Sequence, residues 1–243
     1  MNRYSPFRDS ADGKVVCAFS PRSLHNMSLY YGDTKESLGN RKDFLTGLGI
    51  DYHALVCAKQ VHADNVRYVK EADSGKGALF YENSIPDTDA LITDKRNLPL
   101  AIFTADCLSI FLFDPRTPAI GLIHAGWRSS RERIAVKTLA LMQEEFSSRA
   151  QDLLVGFGPS IRSCCYQVGS ELQDYFSDGI IKKEDSYYLD LISINKKQLL
   201  ASGVKEKNIF DAQICTFCQA QEFFSYRKEG KSCGRSMSVI MLK

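Results

Sequence analysis

Between Asp89 and His124 the chain runs through four short apolar segments, Asp89–Thr93, Leu100–Phe103, Leu108–Phe113 and Ala119–His124, with Asp-Pro and Thr-Pro turns among them. Runs this short, bounded by turn signals, read as strands, and they constrain the fold more than any other part of the sequence. Elsewhere β-type runs alternate with helical patterns. Strands are predicted over Lys14–Phe19, Tyr52–Val61, Asn65–Val69, Leu153–Phe157, Asn208–Ile214 and Ser236–Leu242. Asp33, with Glu36 three residues on, has the form of a helix cap, and the helix it opens ends near Gly47 or Gly49. A second helix is predicted over Arg128–Phe146, and a third from Asp190 through Leu200, closed by Gly203. Glu71–Asp87 reads as a loop, and Ser225–Arg235 as a polar segment before the last strand. The expectation is an α/β fold.

A chain of 243 residues, 44% hydrophobic and 25% charged, can bury one large core, so residues 1–243 are expected to form a single domain. Basic and acidic residues, 31 and 29, are mixed along the chain without a polybasic block, which argues against a nucleic-acid partner. No apolar stretch approaches the ~20 residues of a membrane span, and Met1–Pro6 lacks the apolar core of a secretory signal. Eight cysteines, irregularly placed, suggest reduced thiols rather than a disulfide scaffold. A cytoplasmic protein is expected.

Three metal-competent residues stand at edges of apolar runs: His62 after Lys59-Gln60-Val61, Cys107 after Ala105-Asp106, and His124 before Ala125-Gly126-Trp127-Arg128. Two imidazoles and a thiolate form a three-ligand zinc set with a fourth position open, the pattern of a catalytic site. Their spacing fits no short zinc-finger pattern, so the case rests on their placement at strand ends. Asp106 reads equally as an orienting or proton-carrying group and as a turn residue. Arg128 reads as a phosphate contact, a cation stacked on Trp127 or a surface residue at a helix start. Cys215 and Cys218 have metal-knuckle or redox spacing but lack a second such pair, and Cys164 and Cys165 are expected to be packing residues after the Gly158-Pro159 turn.

From about Phe19 to Leu242 the chain resembles the multicopper polyphenol oxidoreductase, or laccase-domain, family, whose members are understood as purine nucleoside phosphorylases and include the bacterial peptidoglycan editing factor. The resemblance is carried by Asn40-Arg41, Gln60-Val61-His62, Thr88-Asp89-Ala90-Leu91-Ile92-Thr93, Ala105-Asp106-Cys107, His124-Ala125-Gly126-Trp127-Arg128, Gly158-Pro159-Ser160-Ile161, Cys164 to Tyr166, Cys215-Thr216 and Phe224-Ser225-Tyr226-Arg227. Three positions depart from it. Ser20-Pro21-Arg22-Ser23 lacks a glycine pair, Ser129 replaces a glycine, and Gln167 stands where glutamate is frequent.

The resemblance implies packed mixed β-sheets flanked by helices, an α/β/β/α-like sandwich, with His62, Cys107 and His124 as zinc ligands. It also implies phosphorolysis of adenosine, inosine, guanosine and methylthioadenosine, with adenosine deaminase activity alongside. Arg41 is then the phosphate-binding candidate, with Arg128 beside it, and Cys107, His124, His62 and Asp106 the catalytic set. Copper is the alternative metal. Two other enzyme classes use the same residues: a cysteine hydrolase with Cys107 as nucleophile and His124 as base, which the peptidoglycan editing branch favours, and a copper-dependent polyphenol oxidase. Four histidines in the whole chain cannot supply a trinuclear copper cluster.

Overall fold

The computed structural model describes residues 4–7 and 13–243. Its strands are β1 (Val15–Phe19), β2 (Val56–Cys57), β3 (Val66–Tyr68), β4 (Ala90–Thr93), β5 (Leu100–Thr104), β6 (Leu108–Asp114) and β7 (Ala119–Ala125). They continue with β8 (Leu154–Phe157), β9 (Gln167–Val168), β10 (Ile180–Lys183), β11 (Ser186–Leu189), β12 (Ile209–Asp211) and β13 (Ser236–Leu242). The helices are α1 (Thr34–Thr46), α2 (Trp127–Arg131), α3 (Ile134–Phe146), α4 (Leu191–Ala201) and α5 (Tyr226–Glu229).

Two mixed sheets stack face to face. One has four strands in the order β1-β13-β5-β2, the other six in the order β12-β8-β6-β7-β4-β3. Within β6 the period-2 alternation sends Leu108, Ile110 and Leu112 to one face and Phe111 and Phe113 to the other, and both faces are buried. That double burial explains why β6 reads as a continuous apolar run. Leu100, Ile102 and Ile240 of the four-stranded sheet meet Phe111, Phe113, Ile120 and Leu122 between the sheets. Outside, α1 lays Phe44 and Leu45 against Ala18, Met237 and Val239. On the far side, Ile134, Leu139 and Met142 of α3, with Leu199 of α4, cover Ile92, Ile110 and Leu112. The layering is the expected α/β/β/α sandwich, a mixed α/β single domain.

The helix caps are where the sequence places them: Asp33 accepts the Glu36 N–H at 2.8 Å and Asp190 the Ser193 N–H at 3.0 Å. Other boundaries differ. The strand expected over Tyr52–Val61 is only Val56–Cys57, because Asp51 accepts the His53 N–H and opens a short 3₁₀ turn over Tyr52–Ala54. The helix expected over Arg128–Phe146 is broken into α2 and α3 at Arg133, whose φ is 60°. A non-glycine residue there costs about 1–2 kcal/mol, offset by seating Ile134 in the core. Asn208–Ile214 shortens to Ile209–Asp211. A three-stranded antiparallel sheet, β10-β11-β9, was not expected; Lys182 and Lys183 disguise it, and its apolar side packs through Leu189 against Leu172, Phe176 and Ile194. No helix among the described residues is long and apolar enough to cross a membrane.

Candidate metal centre and cavity

Alternation along β7 aims His124 toward the same face as Ile120 and Leu122, so it caps the inter-sheet row at the strand's end. The antiparallel register of β6 and β7 sets Ser109 opposite His124 and Leu108 opposite Ala125, which puts Cys107, one residue before β6, at the same rim. His62 arrives on the loop after β2. The ligand atoms of His62, Cys107 and His124 all lie within 4.8 Å of one another, and the two imidazole centroids are 4.7 Å apart. Ligand atoms of a tetrahedral zinc site, with bonds of about 2.0–2.3 Å, stand roughly 3.3–3.8 Å apart, inside that limit, so the donor set fits a divalent ion.

Asp89, at 0% exposure, ties the constellation together. Its Oδ1 is 2.7 Å from His124 Nδ1 and accepts the His62 N–H at 3.0 Å, while Oδ2 accepts the Val61 and Ala63 N–H groups at 3.1 and 2.9 Å. The Asp89 carbonyl also takes the His124 N–H at 2.7 Å. This cradle stabilises the left-handed backbone of His62, φ 61°. It also fixes the His124 proton on Nδ1 and turns Nε2 toward Cys107, the arrangement a metal-binding histidine needs. Burial raises the Asp89 pKa, but His124 and the backbone donors outweigh it, and the carboxyl lies below its ordinary value.

Burial raises the Cys107 thiol, yet the neighbouring His124 and His62 bring it down to about 6. Burial lowers the His124 pKa, while the Cys107 thiolate and Asp89 lift it to about 9. A thiolate facing an imidazolium results at neutral pH in the absence of a metal, and the same thiolate is the ionised ligand that a metal requires.

Gly126 allows this closeness, since a Cβ there would sit 3.3 Å from both Cys107 Sγ and His62 Cδ2. Ser129, at the position that departs from the family glycine, is fully buried; its Oγ accepts the Gly126 N–H at 2.9 Å and lies 3.2 Å from the His124 carbonyl.

The three ligand-type side chains line a cavity of about 610 Å³. Arg41 lines it, buried, with Nε donating to the Met27 carbonyl at 2.7 Å and Nη1 to the Gly77 and Ala78 carbonyls at 2.8 and 2.9 Å. Its guanidinium lies over the Phe103 ring at 4.6 Å, and among the described residues no carboxylate is bonded to it. Burial lowers its pKa, although an arginine stays charged. Arg235 is the second cavity cation, stacked on Tyr31 at 4.1 Å. Tyr30, Tyr81, Phe103 and Tyr226 supply aromatic walls, and the buried Thr104 Oγ1 has no hydrogen-bond partner among the described residues.

Arg128 is exposed, stacked over Trp127 at 4.3 Å, and is not part of the cavity lining. Asp106, with φ 86°, accepts the Thr216 hydroxyl on Oδ1 and the Arg227 N–H on Oδ2, both at 2.7 Å. Its carboxylate is thus committed to fixing the turn before Cys107. Arg22 is paired bidentately with Glu229 at 2.7 and 2.8 Å. Asp89, Gly126 and Arg235 escaped the sequence reading as site residues. Only Asp89 left a signal, a lone carboxylate at the head of a buried strand.

A family model described as multi-copper polyphenol oxidoreductase laccase matches residues 16–243. The chain belongs to this family. It is 33% identical to a purine nucleoside phosphorylase, CA_C1699, of Clostridium acetobutylicum, over 100% of this chain and 98% of that protein. Purine nucleoside phosphorylase YlmD of Geobacillus stearothermophilus is 32% identical over 90% of this chain and 84% of its own length. The crystal structure of YlmD from that organism superimposes with a TM-score of 0.91, covering 96% of this chain and 94% of the other. Adenosine deaminase RL5, from an unknown prokaryotic organism, is 29% identical over 100% of this chain and 94% of that protein. The relatives support an enzyme.

Proposed function

We propose that the protein is a zinc-dependent purine nucleoside phosphorylase that accepts adenosine, inosine, guanosine and methylthioadenosine, with adenosine deamination as a second activity. The observation that carries this reading is the placing of His62, Cys107 and His124 in one cavity with a buried Arg41 that is bonded to no carboxylate among the described residues. His62, Cys107 and His124 would hold the zinc ion, which would supply a Lewis acid and lower the pKa of a bound water. Arg41 and Arg235 give the positive field that a phosphate dianion needs, and the carbonyls that grip Arg41 hold it ready at no further ordering cost. The Tyr30, Tyr81 and Phe103 rings offer apolar faces for a purine, and Thr104 Oγ1 an unused donor or acceptor for a ribose or phosphate oxygen. Phosphate would attack the anomeric carbon as the bond to the purine nitrogen breaks, giving free base and pentose 1-phosphate. The names of two similar proteins, both purine nucleoside phosphorylases, and of a third, an adenosine deaminase, support this choice.

Incubation of inosine or adenosine with the protein should release base only with phosphate present. Equal release in phosphate-free buffer would indicate hydrolysis and overturn the phosphorylase assignment. One observation favours a second reading: the Cys107 thiolate facing the His124 imidazolium is the pair a cysteine hydrolase uses.

A further inference from the structure

A second cluster of ligand-type side chains lies outside the cavity lining. The sulfurs of Cys164, Cys165, Cys215 and Cys218 all lie within 4.8 Å of one another, although sequence spacing offered no partner for the Cys215–Cys218 pair. Cys164 and Cys165 are not packing residues: the first is exposed and the second only half-buried. Their turn explains how neighbours in sequence reach one point. The N–H groups of Cys165 and Tyr166 both donate to the Arg162 carbonyl at 2.8 Å, curling the chain so that Cys165 Sγ comes within 3.3 Å and Cys164 Sγ within 3.8 Å of Cys218 Sγ.

We propose that Cys164, Cys165, Cys215 and Cys218 bind a structural zinc ion as four thiolates. In a tetrahedral four-sulfur site with Zn–S bonds of about 2.3 Å, sulfurs lie about 3.8 Å apart, close to the spacing present here. All four cysteines are free thiols. Four thiolates at this separation repel one another strongly, and a divalent cation removes the repulsion as their protons pass to solvent. An all-sulfur tetrahedral set selects zinc or iron, and four protein ligands that leave no open position suit a structural, redox-inert zinc.

The ion would fasten two loops. Cys164 and Cys165 follow β8, and Cys215 follows β12; the loops already touch through the Ser160–Cys215 bridge and the Thr216 N–H, which donates to the Ser160 carbonyl at 3.1 Å. Thr216 also holds Asp106, the residue before Cys107. The zinc would therefore brace the segment that positions one ligand of the cavity site from behind.

The test is metal analysis of the full chain purified under reducing conditions, beside a His62→Ala/His124→Ala double variant and a Cys215→Ser/Cys218→Ser double variant. The double-histidine variant should keep one equivalent of zinc, and after cobalt replacement it should show the thiolate charge-transfer and d–d absorption of a tetrahedral four-sulfur site. The double-cysteine variant should lose one equivalent relative to wild type. If it does not fold, the cobalt spectrum of the double-histidine variant decides alone. A metal-free double-histidine variant, iron in place of zinc, or a Cys165–Cys218 disulfide in the freshly isolated protein would each overturn the proposal.

Discussion

Asp89 Oδ1 lies 2.7 Å from His124 Nδ1 and accepts the His62 backbone N–H from the same atom, so one buried oxygen aligns two of the three ligand-type residues. Asp89→Asn keeps the volume but replaces an acceptor with an amide that must turn its NH₂ toward backbone donors or toward the imidazole. Metal affinity at the three-ligand site should fall roughly 10–100-fold, the usual cost of losing such a partner. Competition with a fluorescent chelator measures it, and circular dichroism checks that the fold is retained. Unchanged affinity would mean that Asp89 only ties the loop.

Gly126 lies against both Cys107 and His62. In Gly126→Ala the new methyl group would meet Cys107 Sγ and His62 Cδ2 at 3.3 Å, so both ligand-type side chains must give way. The expected cost is about 1–3 kcal/mol of overpacking, together with weaker metal binding. Thermal denaturation with and without added metal separates the two: the stabilisation conferred by metal should shrink, beyond any change in the metal-free protein.

The layered fold was legible because β4 to β7 carry short apolar runs bounded by turns, and α1 and α4 carry aspartate caps. The break at Arg133 was not, since a left-handed arginine leaves no trace in hydrophobic periodicity. The β9–β11 sheet was hidden by its short, half-exposed strands, one of which ends in Lys182 and Lys183. At the site, ligand-type residues announce themselves by chemistry. Their supports do not: Asp89 acts through bonds to the backbone of Val61, His62 and Ala63, and Arg235 reaches the cavity only through three-dimensional packing. The four-cysteine cluster likewise depends on a turn that no spacing rule encodes.

Metal-free protein should reveal the Cys107 thiolate through alkylation by iodoacetamide. The His124 and His62 imidazoles hold this thiol down at about 6 against burial, so it is ionised above that pH and protonated below it. Its rate should be half-maximal near pH 6 and level off above neutrality, whereas an ordinary thiol still gains reactivity up to about 8.5 and beyond. Peptide mapping assigns the modified residue, and prior zinc loading should protect it. A Cys107 profile rising with a midpoint near 8.5 would refute the ion pair.

Arg41 is gripped by three backbone carbonyls and stacked on Phe103, a geometry that a lysine cannot reproduce. Arg41→Lys should raise the KM for phosphate roughly 10-fold or more, given the ~1.5–3 kcal/mol of a hydrogen bond to a charged group, while the KM for nucleoside changes little. Steady-state kinetics with each substrate varied in turn gives both values. Equal loss in the two would mark Arg41 as a structural support of the cavity wall.

His62 separates metal chemistry from thiol chemistry, since Cys107 and His124 serve both. A Cys107–His124 dyad held by Asp89 has no need of His62, which is exposed and enters the cluster only by bringing its imidazole within ligand distance. A three-ligand metal site, by contrast, loses a third of its protein ligands in His62→Ala. This variant should lose one equivalent of metal and at least about 100-fold in activity, and a strong chelator should inactivate the wild type while its far-ultraviolet circular dichroism persists. Because His124 is the larger of the two imidazole influences that keep Cys107 ionised, the thiol should remain alkylatable in the variant, with its midpoint shifted to higher pH by the loss of His62. Full activity in a His62→Ala protein with an empty three-ligand site would defeat the metal mechanism and leave Cys107 as the nucleophile.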